Sequence, residues 1–70
     1  MPDTMIFIIQ TINMILRAEG PMDRVTLIRR VGEQMQLGDL IPYVDSTLNV
    51  LIGNNKVLVD EEGKLYTRSR

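Results

Sequence analysis

Apolar residues recur along the first third of the chain at helical intervals. Met5, Ile8, Ile9, Ile12, Ile15 and Leu16 follow i, i+3, i+4 and i+7 spacing and predict a core-facing helix over roughly residues 4–19. Asp3 or Thr4 offers a side-chain oxygen to cap its first turn, and Gly20-Pro21 ends it. Ile6, Phe7 and Met14 stay off that face. Phe7 and Met14 stand seven apart and form a second stripe broken only by Thr11. Such a stripe is covered either by the rest of a small domain or by another chain, as a homodimer or partner interface.

The periodicity resumes after Pro21-Met22, a pair suited to a short strand. Asp23 caps a second helix over roughly residues 24–36, with Val25, Ile28, Val31 and Met35 inward, Leu27 at the edge, and Arg24, Arg29, Arg30, Glu33 and Gln34 outward. Gly32 in mid-helix costs about 1 kcal/mol relative to Ala, and marks either a close approach of another helix or a tolerated weak spot. Gln36-Leu37-Gly38-Asp39 then makes a corner. Gly38 supplies a left-handed closing residue, and Asp39 caps a third helix over roughly residues 40–52, whose first turn tolerates Pro42. Ile41, Val44, Leu48, Leu51 and Ile52 form its core face, with Tyr43, Ser46 and Val50 opposite and Thr47 and Asn49 on the flanks.

Beyond the stop at Gly53-Asn54-Asn55 the period changes from helix to strand. Residues 56–60 and 64–68 predict a hairpin about Asp60-Glu61-Glu62-Gly63-Lys64, with Val59 opposite Leu65 and Leu58 opposite Tyr66. Val57, Val59 and Leu65 are expected to face the core, and Lys56, Leu58, Lys64, Tyr66 and Arg68 to line the other side. The expected architecture is therefore a single α+β domain over residues 1–70, in the order helix, short strand, helix, helix, hairpin.

Element order and turn placement from Pro21 to Arg68 resemble the winged helix-turn-helix superfamily, a three-helix fold with a C-terminal β-hairpin wing. The resemblance implies a non-enzymatic, DNA-binding transcription regulator, with duplex DNA as partner. It places base recognition at Tyr43, Ser46, Thr47 and Asn49, and phosphate contacts at Arg29, Arg30, Lys56, Lys64 and Arg68. The alternative is a protein-binding winged helix, an adaptor or inhibitor of a larger machine in the manner of a phage regulator. Such a module would dock through Tyr43 and Val50, or through Leu58 and Tyr66 on the wing. On either reading a homodimer through the first helix, held by Phe7 and Met14, is expected.

Charge shifts the balance between these two readings. Eight Lys and Arg against nine Asp and Glu give a net charge of −1, so no general polycationic attraction to nucleic acid or anionic lipid exists. The third helix carries Asp45 and no cation, and the wing tip carries Asp60, Glu61 and Glu62. Duplex affinity depends on neutralising phosphates, and these surfaces supply little for it. Arg29-Arg30 is then either a phosphate contact or a solvated pair, and Tyr66 either an interface anchor or a side chain lying on its own hairpin. Cysteine and histidine are absent, which removes disulfides, the usual zinc ligands and the commonest general base, so neither a metal nor a cofactor is expected. The apolar run from Met5 to Ile9 is far short of the ~20 residues of a membrane span, and the chain reads as a cytoplasmic protein without a targeting signal.

Overall fold

A computed structural model describes residues 2–35 and 41–67 of the chain. Three helices, α1 (Pro2–Glu19), α2 (Arg24–Met35) and α3 (Ile41–Gly53), precede an antiparallel hairpin of β1 (Leu58–Val59) and β2 (Leu65–Tyr66). This is the α+β arrangement of three helices and a C-terminal wing. The register pairs Leu58 with Tyr66 and Val59 with Leu65, as the turn residues dictate. Met22 joins the other edge of β2, exchanging both backbone hydrogen bonds with Leu65 at 3.2 and 2.7 Å.

Local chemistry sets where each element stops. α1 begins at Pro2, two residues before the expected start, because proline is suited to a first helical turn; Asp3 and Thr4 are therefore inside the helix and not its cap. Gly20, at φ +88°, closes α1 by donating to the Leu16 carbonyl at 2.9 Å. Asp23 caps α2 as expected, its carboxylate accepting from the Thr26 amide at 3.3 Å and the Thr26 hydroxyl at 2.7 Å. At the end of α3 the left-handed residue is Asn55, at φ 61°. Its amide donates to Ile52 and that of Lys56 to Leu51, the paired bonds of a Schellman stop with Asn in the place glycine usually takes. The Leu51 carbonyl also accepts from Val57, which fixes the entry of the wing onto α3. The expected closing Gly38 and capping Asp39 lie outside the described residues.

The core draws on the three helices and the wing: Ile8, Ile12, Ile15 and Leu16 of α1, Leu27 and Val31 of α2, Val44, Leu48 and Leu51 of α3, then Val57 just before β1 and Leu65 of β2. Each buried aliphatic side chain contributes roughly 1.5–3 kcal/mol, the main favourable term in a domain without covalent staples. Gly32 does mark a close approach. A Cβ there would lie 2.6 Å from Cδ1 of Ile41, so α2 and α3 pack where a side chain is missing.

Three residues expected in the core are exposed. Met5 is 45% exposed, and among the described side chains of α1 burial begins at Ile8. Val25 is 73% exposed because the buried line of α2 runs through Leu27, and at about 100° per residue position 25 lies about 160° round the helix from it. Val59 is 50% exposed although it pairs with buried Leu65. Leu65 lies between Met22 and β1, whereas Val59 is on the outer strand, and only the middle strand is covered.

Candidate interaction surfaces

α3 packs against both α1 and α2, so its buried arc is wider than a single apolar stripe. Thr47, expected to meet a nucleic-acid groove, is 3% exposed and belongs to the core beside Val44, Leu48 and Leu51. The outer face of α3 is left to Tyr43, 61% exposed, Val50, 48% exposed, and Ser46 between them.

Arg24 determines the electrostatics of the flank beside that face. From the first turn of α2 its guanidinium reaches across to α3, where Nε donates to Asp45 Oδ1 at 2.9 Å and Nη2 to the Asp45 carbonyl at 3.1 Å. The same Nη2 donates to Asn49 Oδ1 at 2.7 Å. Two consequences follow. The acid of α3 is charge-paired, with Nη2 2.7 Å from its carboxylate. Asn49 has one lone pair of its carbonyl oxygen engaged by Arg24, so gripping adenine through donor and acceptor together would have to share that oxygen with the guanidinium. Arg24 was expected to face outward without a role. The signal for its contact was the i, i+4 placement of Asp45 and Asn49, two acceptors on one flank of a helix without cations of its own.

The expected phosphate contacts divide between occupied and open cations. Arg30 bonds both carboxylate oxygens of Glu19 and, at 3.3 Å, Glu33, so it ties the end of α1 to α2. That hydrogen bond holds the Glu19 carboxyl below the usual carboxylate range and raises the Arg30 guanidinium. Lys64 Nζ lies 3.8 Å from Glu62 at a wing tip where Asp60 Oδ1 accepts from the amides of Glu62 and Lys64, both at 2.9 Å. Gly63, at φ +84°, permits that turn. Arg29 and Lys56 are exposed and form no ion pair among the described residues. Arg68 lies outside them.

Of the expected protein-contact residues, Leu58 and Tyr66 are half-buried and stand opposite each other across the hairpin. Phe7 and Met14 are 59% and 51% exposed, with Ile6 beside them at 50%. The wing does not fold over them. A shallow depression lined by Gln10, Asn13, Met14, Arg17 and Ala18 runs along the same side of α1; among the described residues every lining side chain comes from one helix, and no second element walls it into an enclosed site.

Among the described residues no group of three metal-binding side chains gathers, and no helix is long and apolar enough to cross a membrane. The structure thus presents three surfaces that could meet a partner: the outer face of α3, the outer face of α1, and the acidic tip of the wing. No family model matches the chain, and no curated protein or solved structure matches it, so these surfaces alone carry the functional reading.

Proposed function

We propose that the chain is a small, non-enzymatic, cytoplasmic regulator of the winged helix-turn-helix type that docks on another protein through the outer face of α3. The character of that face carries the reading. Tyr43 and Val50 stand out from it with Ser46 between them, and the neighbouring acid and amide are held by Arg24. An aromatic and an aliphatic anchor bounded by neutral polar groups have the composition of an interface centre. Reading duplex DNA requires cations for phosphates and free donors and acceptors for base edges. Here Arg30 and Lys64 sit beside carboxylates, Thr47 is buried, and the Asn49 carbonyl oxygen already accepts from Arg24.

A second reading, a DNA-binding transcription regulator, is favoured by Arg29, Lys56 and Ser46, which remain exposed. A titration of labelled duplex DNA at low and moderate salt separates the two. Protein docking predicts weak binding at most, unchanged when Arg29 and Lys56 are both replaced by Ala. Tight binding that falls steeply with salt, and is lost in that double variant, would overturn the proposal in favour of DNA.

A further inference from the structure

We infer that α1 pairs with α1 of a second copy of this chain, antiparallel about a two-fold axis passing between Gln10 and Thr11. This goes beyond the docking face on α3 and is independent of what that face binds. α1 has 18 residues and buries Ile8, Ile12, Ile15 and Leu16 on one side. On the other side Phe7, Gln10, Met14 and Arg17 follow one another at alternating spacings of three and four, the seam along which two helices pack. Phe7 and Met14 are 59% and 51% exposed on that seam.

What selects a second copy as the occupant is the symmetry of the seam and its charge. In a two-fold interface residue i meets j and j meets i, and residues near the axis meet their own counterparts. A charge near the axis would face its like. The sequence has no charged residue from Thr4 to Leu16, and Gln10, next to the axis, carries an amide that both donates and accepts toward its own copy. The Thr11 hydroxyl already donates to the Phe7 carbonyl at 2.8 Å, so covering it strands no donor. Phe7 and Met14 lie equally far on either side of the axis, and an antiparallel pair sets Phe7 of one copy on Met14 of the other. Thioether on aromatic ring is a favourable contact.

Charge enters only at the ends. Arg17 closes the seam at one end, and position 3, an aspartate in the sequence, falls on the same side of the helix at the other. An antiparallel pair therefore brings opposite charges together twice, while a parallel pair would bring like charges together. A net charge of −1 per copy opposes association little.

Sedimentation equilibrium of the full chain over a concentration series tests this. The expected mass is twice 8.0 kDa. Phe7→Glu is expected to lose the dimer while keeping the helical spectrum and melting temperature of a folded monomer, since the side chain is exposed within one chain. Arg17→Asp is expected to weaken the dimer, and Asp3→Lys with Arg17→Asp to restore it. A wild-type chain that stays monomeric at its highest soluble concentration overturns the inference and leaves the face to a different polypeptide. A dimer indifferent to Phe7→Glu places the contact elsewhere, and failure of the exchanged charges to restore association rules out the antiparallel arrangement.

Discussion

The bridge from Arg24 to α3 is the contact on which the neutrality of the α3 flank depends, and its strength follows from its geometry. The ion pair is partly solvated, with Arg24 and Asp45 side chains 33% and 50% exposed, so its Coulomb attraction is well below that of a buried pair. An exposed pair contributes about 0.2–1 kcal/mol, and the planar fork holding both Asp45 and Asn49 puts this one near the upper end. A double-mutant cycle of Arg24→Met with Asp45→Ala, measured by urea unfolding, is expected to give a coupling of about 0.5–1 kcal/mol. Met preserves the packing of the stem, so Arg24→Met alone should cost about 1 kcal/mol, which in a domain of this size lowers Tm by about 4–8 °C. Raising the salt should shrink the coupling with Asp45 more than any coupling with Asn49, which is uncharged. A coupling within about 0.2 kcal/mol of zero would mean the guanidinium does not hold Asp45 in solution. The acid would then face outward unpaired, and the account of the α3 surface would fail.

Two further outcomes follow from the packing and charge of the helices. Gly32→Ala would gain about 1 kcal/mol at an open helical site, but the new Cβ meets Ile41 Cδ1 at 2.6 Å, so the change is expected to leave the urea midpoint nearly unaltered. In an Ile41→Val background, which removes that methyl, the same substitution should become stabilising; a full gain in the wild-type background would show that the Ile41 side chain moves aside without cost. For pH, the Arg30 hydrogen bond holds the folded Glu19 carboxyl below its unfolded value. Its contribution to stability is therefore present above the unfolded pKa and lost as pH falls through the folded one. Glu19→Gln is expected to flatten the acid limb of the stability profile, measured as unfolding midpoint against pH, and an unchanged limb would refute the pairing.

The sequence made the order of elements legible because each boundary was set by a residue whose preference is local. Asp23, Gly20 and Gly63 act through their own backbone or nearest amides, and all three do in the fold what their chemistry indicates. The hairpin register followed from its loop. Which apolar residues face inward was less legible. Val25 and Leu27 are both hydrophobic and nearly opposite on α2, so periodicity alone admits either as the centre of the stripe, and packing against α1 and α3 chose Leu27. Val59 shows the same limit in a strand, since alternation tells which face a residue shares but not whether a helix covers that part of it, and α1 packs on β2.

The candidate site was legible in composition and not in electrostatics. An α3 without Lys or Arg was visible in the chain, as were the exposed positions of Tyr43, Ser46 and Val50. The partners of its polar residues were not, because Arg24 lies 21 residues before Asp45 and 25 before Asn49, and only the packing of α2 on α3 brings them together. The same holds for Arg30, where adjacency to Arg29 suggested a paired basic surface but the end of α1 brings Glu19 to one of the two. The tertiary fold thus divides a uniform set of cations into those occupied by carboxylates and those left to solvent. A surface whose arginine, asparagine and aspartate already satisfy one another has least to offer a phosphate backbone and most to offer an apolar partner, because little of its polar hydration must be given up when Tyr43 and Val50 are covered.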